Sequence, residues 1–294
     1  MDDLDSLARD IREAACVVAL TGSGISAPSG VPTFRGADGV WDHFDEGQFT
    51  YGRFQRDPAG FWRDRLELQR ALFGSSYRPN VAHEALARLG RTGPLEAIIT
   101  QNTDGLHDRA ANVQNDVNRS VDNDCDREYS EDGGRTNQTE PAESGETEPT
   151  DPQNASGASI LELHGNAHRV VCVDCGSRTP AEPVLDRVDD GDVPPRCDCG
   201  GLYKPDVVLF GQQLSKPTLQ RARSLARESD VFLAIGSSLV VEPAASLPRV
   251  AARSGATVAV VNLEETPVDR HASTVYRADV TEILPRLADL VESV

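Results

Sequence analysis

Four cysteines, one histidine and an Asn/Asp pair are the residues of this chain whose types and spacing could do chemistry. Cys172-x2-Cys175 is followed after 21 residues by Cys197-x-Cys199. Paired thiols in short loops hold Zn²⁺, and with all four positions filled by protein the ion is structural, because no place remains for a substrate. The second pair is one residue tighter than the usual spacing, but Pro194-Pro195 before it and Gly200-Gly201 after it supply the turns of a metal knuckle. Free buried thiols are the competing reading, disfavoured because four Cys in paired loops make poor core fillers. Cys16 reads as a small core residue within a strand, and Cys125 lies in a polar stretch. His164 follows Ile160-Leu161-Glu162-Leu163, and Asn102 and Asp104 follow Ala97-Ile98-Ile99-Thr100. All three therefore stand at the carboxyl ends of apolar strands, where open α/β sheets bind their ligands. Taken alone, Asn102 and Asp104 would mark only a helix N-terminus.

A further strand end carries glycines. Cys16-Val17-Val18-Ala19-Leu20 has no polar alternation and reads as a buried parallel strand. Gly22-x-Gly24-x-x-Ala27 follows at once, letting the backbone turn tightly and approach a pyrophosphate that rests on the N–H groups of a following helix. That is a nucleotide site. No acidic strand end comes about 20 residues later, as the usual dinucleotide arrangement requires. The nearest equivalent is Asn262-Leu263-Glu264, after the strand Ala256 to Val261, so the ribose contact is expected from the other half of the sheet. Ser29 to Gly36 is too rich in turn formers to continue a helix and is expected to be a loop beside the phosphates.

The elements that must position these groups alternate. Apolar strands are expected at Cys16 to Leu20, Glu96 to Thr100, Ile160 to Leu163, Val207 to Phe210, Val231 to Gly236 and Thr257 to Val261. Leu4, Leu7, Ala8 and Ile11 trace one helical apolar face, and Ala82, Ala85, Leu86 and Leu89 another. The pattern predicts an α/β fold: a Rossmann-like parallel six-stranded sheet with a small zinc-ribbon and helical module and an acidic insertion. The expected division gives 1–34, 76–111, 158–168 and 202–294 to the Rossmann-like domain and 35–75 to a cofactor loop and helical excursion. Residues 112–157 form the insertion and 169–201 the zinc module.

The 294 residues carry 29 basic against 47 acidic side chains, a formal charge of −18, which argues against nucleic-acid binding. Only Lys204 and Lys216 are lysines, against 27 arginines. An acidic, lysine-poor surface is expected of a high-salt cytoplasm, with base-composition bias as the plainer alternative. No apolar run reaches membrane-spanning length and the N-terminus is acidic, so a cytoplasmic protein is expected, its cysteines serving metal before disulfides. Half of the charge, −9, sits in Asn112 to Gly157, which has no Leu, Ile, Phe, Met or Trp. Such a segment is expected to be disordered, or a loose helical arm along Val113, Val117 and Val121.

The glycine run through Phe34-Arg35-Gly36 and Thr100-Gln101-Asn102-Thr103-Asp104-Gly105-Leu106-His107 recur here with four further motifs. These are Leu163-His164-Gly165, Lys204-Pro205-Asp206-Val207-Val208-Leu209-Phe210-Gly211, Gly236-Ser237-Ser238 and Asn262-Leu263-Glu264. Together, in order and over most of the chain, they resemble the sirtuin family of NAD-dependent protein deacylases. The resemblance implies His164 as general base toward the cofactor ribose, with Asn102 and Asp104 completing the catalytic set. It implies Gln101 and Asn102 on the nicotinamide ribose and Asp104 on the carboxamide. Further NAD contacts are implied at Gly22, Ser23, Gly24, Ile25, Ser26, Phe34, Arg35, Trp41, Thr103, Gly236, Ser237, Ser238, Asn262, Leu263, Glu264 and Val280. Val207, Val208, Phe210, Gly211 and Val241 would form the cleft for an acyl-lysine protein strand. Cys172, Cys175, Cys197 and Cys199 would hold zinc. Ser23 and Thr103 replace the family's usual Ala and aliphatic residue, Ser237 replaces Thr, and Gln212 stands where Glu is frequent. No Tyr-x-x-Arg pair, the mark of acidic acyl groups, occurs in Phe61 to Leu68. The implied reaction is deacetylation with release of nicotinamide and O-acetyl-ADP-ribose. Protein ADP-ribosylation and a non-catalytic NAD-sensing zinc-ribbon protein are the alternatives. His107 is expected to be either structural or a support to the site, and His43, His83, His168 and His271 carry no readable signal. The oligomeric state is left open, a monomer included.

Overall fold

The computed structural model describes residues 2–33, 39–74, 76–112 and 157–293. The expectations placed on Phe34, Arg35, Cys125 and the Val113, Val117 and Val121 stripe fall outside the described residues.

Six parallel strands form the larger sheet: β1 (Val17–Thr21), β2 (Leu95–Thr100), β3 (Ser159–Glu162), β7 (Val231–Ile235), β8 (Thr257–Val261) and β9 (Thr274–Tyr276). Their spatial order is β3-β2-β1-β7-β8-β9, the doubly wound order that reverses direction between β1 and β7 and opens a crevice there. β1 is buried along its whole length because both faces are covered. Val17 and Ala19 meet one apolar cluster with α1 (Asp2–Glu13), α5 (Val81–Thr92) and the last helix, α9 (Val280–Glu292). Val18 and Leu20 meet another with α7 (Lys216–Glu228) and α8 (Leu247–Arg253). The apolar faces read in α1 and α5 are buried as expected.

One predicted strand is reassigned. Val207 to Phe210 does not join the parallel sheet; the strand there is β6 (Tyr203–Val207), in a separate antiparallel sheet with β4 (Gly165–Cys172) and β5 (Arg178–Pro180), ordered β5-β4-β6. The sixth parallel strand is instead β9, three residues long and too short to show a pattern. A second difference concerns the glycine turn, which opens into two 3₁₀ turns, Ser23–Ile25 and Ala27–Ser29, and no α-helix. Pro28 and Gly30 stop regular winding there.

Helices α2 (Val40–His43), α3 (Tyr51–Arg56) and α4 (Pro58–Phe73) share a third core with the antiparallel sheet and α6 (Ala181–Asp189). Phe61 and Trp62 are wholly buried in it, each worth about 2–3 kcal/mol of apolar transfer. The Trp62 indole N–H also donates to the Tyr203 carbonyl at 2.9 Å, tying α4 to β6. Among the described residues no helix is long and apolar enough to cross a membrane.

Candidate active site

The carboxyl ends of β1, β2, β3, β7 and β8 converge on the crevice. At its floor three glycines interlock. Gly24 N–H donates to the Gly236 carbonyl at 2.8 Å and Gly22 N–H to that of Ile235 at 3.1 Å. A Cβ on Gly24 would lie 2.8 Å from Gly236 Cα, and one on Gly236 would lie 2.5 Å from the Ile25 nitrogen. Gly236 also has φ +57, so both shape and conformation demand glycine there. The backbone packed this closely leaves the mouth of the crevice to a ligand.

Gln101 crosses the crevice, its Nε2 donating to Ser237 Oγ at 2.9 Å. Asn102, buried, donates from Nδ2 to the Gly22 carbonyl at 3.1 Å and to Ser26 Oγ at 3.0 Å. Asp104, also buried, accepts the Leu106 N–H at 2.9 Å. Burial pushes its carboxyl up, opposed by the Leu106 amide and the Ser26 hydroxyl. Ser23, Ser26, Phe73, Asn102, Thr103 and Asp104 together line a small pocket beside the glycine turn.

His164 sits between β3 and β4, in the two-residue joint between the sheets. Its Nδ1 is 2.9 Å from the Gln101 carbonyl. A carbonyl only accepts, so Nδ1 carries the proton and Nε2 keeps its lone pair. Burial lowers the imidazole pKa below 6.5, with the Gln101 bond opposing. Near neutral pH the ring is therefore an uncharged base.

Other predicted residues surround this centre. Ser237 Oγ also accepts the Leu239 N–H, Ser238 is exposed, and Asn262, Leu263 and Glu264 follow β8 with Leu263 68% exposed. Val280 heads α9 with its side chain in the core beside Ile25. Trp41 packs edge-on to Phe210 at 5.1 Å, bringing the 40s against the Val207 to Gly211 segment. Val208 N–H donates to the His164 carbonyl at 2.8 Å, and Val240 and Val241 are exposed apolar residues.

His83 is the supporting residue that the sequence reading missed. Asn80 caps α5 and its N–H donates to His83 Nδ1, which leaves the Nε2 proton for Ser26 Oγ, 3.3 Å away. Ser26 thus accepts from His83 and Asn102, and its own proton is left for Asp104. The Asn80-x-x-His83 spacing at a helix start is the signal that could have revealed it. His107 is buried and bonds Thr21 Oγ1 at 2.9 Å, and Thr21 bonds Thr100 Oγ1 at 2.9 Å, beneath the carboxyl ends of β1 and β2. His168 Nε2 donates to the Asp104 carbonyl at 3.0 Å.

The four predicted metal ligands come together at the edge of the antiparallel sheet, all Sγ atoms within 4.8 Å of one another. Cys172 and Cys199 sulfurs are 3.5 Å apart, and Cys175 and Cys197 3.8 Å. Tetrahedral Zn–S bonds of about 2.3 Å require S···S separations near 3.8 Å, so the donor set fits Zn²⁺. The tight Cys197-x-Cys199 spacing brings the Cys199 backbone N–H onto the Cys197 sulfur, lowering that thiol to about 7.

The family model described as "Sir2 family" matches residues 22–120 and 152–243. An NAD-dependent protein deacetylase of Haloarcula marismortui is 45% identical, over 98% of this chain and 94% of that protein. Its counterpart from Sulfurisphaera tokodaii is 37% identical over 94% and 91%. A solved structure of Sir2 bound to acetylated peptide aligns with TM-score 0.73 at 30% identity over 97% of both chains. Another, of Sir2 with a deacetylated p53 peptide and 3′-O-acetyl ADP-ribose, aligns with TM-score 0.72 at 31% identity, again over 97% of both.

Proposed function

The chain belongs to the Sir2 family, and from that premise we propose that it is an NAD-dependent protein-lysine deacetylase whose general base is His164. The observation that carries the assignment is the orientation of that imidazole: Nδ1–H held on the Gln101 carbonyl, Nε2 bare, the ring neutral. NAD is a substrate here, consumed with one water. The acetyl oxygen attacks ribose C1′ as nicotinamide leaves, and the ribose 2′-oxygen then attacks the acyl carbon. The bond from that carbon to the lysine nitrogen breaks and water adds to the same carbon, giving free lysine and O-acetyl-ADP-ribose. His164 takes the proton of the ribose 2′-hydroxyl as that oxygen attacks the acyl carbon. Gln101 and Asn102 face the nicotinamide ribose. Asp104, fixed by Ser26 and Leu106, receives the carboxamide in the pocket with Ser23 and Thr103. Gly22, Ser23, Gly24, Ile25, Ser26, Gly236, Ser237 and Ser238 take the phosphates, while Asn262, Leu263, Glu264 and Val280 take the adenosine end. Phe34, Arg35 and Trp41 complete the NAD contacts. Cys172, Cys175, Cys197 and Cys199 would hold a structural zinc ion, which with four protein ligands would tie the small module together and leave no place for a substrate.

The acyl-lysine strand lies along Val207, Val208, Phe210 and Gly211, with Val241 opposite, pairing by backbone hydrogen bonds. We assign the larger sheet and its helices to an NAD-binding domain, with residues 35–75 and the zinc module as the smaller covering part. The net charge of −18 supports a cytoplasmic protein of a high-salt cell, acting on proteins and not on nucleic acid. Mass spectrometry of NAD turnover with an acetylated peptide tests the reaction: O-acetyl-ADP-ribose is the expected product. ADP-ribosylated protein would mean a transferase, and no product a sensor.

A further inference from the structure

Lys204 is one of two lysines in the chain and is buried, 7% exposed. A buried ammonium normally meets a carboxylate. The neighbouring carboxylate is occupied elsewhere: Asp206 Oδ2 accepts from Arg169 Nε at 3.1 Å and Arg178 Nε at 3.0 Å. Lys204 Nζ instead donates to two backbone carbonyls, Pro205 O and Val207 O, both at 2.6 Å. The other buried cation near it, Arg65 on α4, donates to Gln69 and offers no charge partner.

The reason for this arrangement lies in the ladder. β4 and β6 pair regularly at Cys172–Tyr203, Val171–Lys204 and Val170–Pro205, and then the register slips, so that the next pair is Gly165–Val207. Pro205 has no N–H, and the chain opposite bulges through Gly165, whose Cβ would lie 2.0 Å from the Asp206 carbonyl. The slip falls between residues 205 and 207, and the carbonyls of both turn to the Lys204 ammonium. Lys204 gathers both on one charge, through the short bonds that an ionised donor makes. One residue further, Val208 N–H is bonded to the His164 carbonyl.

We propose that Lys204 is a positioning residue, a clamp whose ammonium sets the backbone of Pro205 to Val207 and so presents the Val207 to Gly211 edge to the incoming acyl-lysine strand. Burial lowers its pKa to about 8, so the clamp is charged at neutral pH. The inference rests on the reading of that edge as the peptide site.

The test is steady-state kinetics of the full-length, zinc-loaded protein with an acetyl-lysine peptide. Lys204→Met should raise the peptide KM about tenfold, within the worth of a charge-assisted hydrogen bond, and leave the NAD KM unchanged. A merely structural lysine would lower the active fraction, hence the apparent kcat, at unchanged peptide KM, and that result overturns the proposal. Lys204→Gln, which keeps an uncharged NH2 donor on a shorter arm, should give a smaller rise. Should the Met variant not fold, the Gln variant is judged by the same criterion. Val241→Asp separates the two layers of inference. A raised peptide KM there with a wild-type KM in Lys204→Met refutes the clamp alone, while wild-type KM in both variants refutes the peptide edge beneath it.

Discussion

His164 is held by one bond to a main-chain carbonyl, and that bond decides which nitrogen is basic. His164→Ala should cut deacetylation by about 10²–10⁴ while NAD affinity, measured calorimetrically, stays within a few-fold. Because burial depresses the pKa, the base stays neutral below pH 6.5, and the acid limb of kcat/KM should fall at a pH lower than free histidine would give. Near-wild-type turnover of the Ala variant would remove His164 from the mechanism. The second prediction concerns His83, fully buried and with its pKa lowered to about 4 by burial. The folded state then disfavours the protonated ring, so the stabilisation is complete above pH 6.5 and is lost as the pH falls from 6.5 toward 4. The loss should approach about 3 kcal/mol across that window. Urea midpoints at fixed high salt, compared at pH 7 and pH 4.5, should drop less in His83→Gln than in the wild type. Equal drops would mean that other groups govern acid unfolding.

The interlocked glycines turn a sequence motif into a constraint between two elements. Gly236→Ala, with φ +57 and a Cβ 2.5 Å from the Ile25 nitrogen, should push β1 and β7 apart at their ends. NAD affinity should fall at least about tenfold and stability by about 1–3 kcal/mol, checked by calorimetry and thermal melting. In the smaller sheet, Cys172 is both one of the four clustered thiols and a core residue, 1% exposed beside Tyr203 and Val170. Cys172→Ser should lower the bound zinc and broaden the melt, with activity lost in step; full zinc occupancy measured by atomic absorption would contradict its role as ligand. Four of the parallel strands, β1, β2, β7 and β8, were legible because they are apolar runs of five or six residues, largely buried on both faces. The antiparallel sheet was not, since Gly165 to Cys172 mixes Asn166, His168 and Arg169 with its apolar residues and β5 is three residues long. Asn102, Asp104 and His164 could be read from their places past strands. The bond that fixes the tautomer of His164 could not, because it joins residues 63 positions apart. His83 was invisible for the same reason: its partner Ser26 is 57 residues away.

At the scale of the molecule the acidic segment 112–157 separates two motifs that must meet. β2 and β3 pair directly, Ala97 with Ser159, and Gly90 lies against Ala158, so the return end is anchored in the domain. Closing a long loop costs only about (3/2)RT ln n, and replacing 112–157 by a short Gly-Ser link should leave the rate on an acetyl-lysine peptide nearly unchanged at high salt. A folded, zinc-loaded variant that no longer turns over peptide would show that the segment shapes the cleft. A different consequence arises from the third core, where Phe61 and Trp62 pack with Val170, Val184 and Tyr203. The ribosome adds roughly 5–20 residues per second, so the aromatic face of α4 waits on the order of 5–20 s for partners more than a hundred residues downstream. What emerges meanwhile includes the stretch of net charge −9. That charge hydrates a nascent chain whose largest aromatic cluster is still uncovered. The shortened protein should therefore show its deficit as a lower yield of folded chains during synthesis, with kcat intact in those that fold.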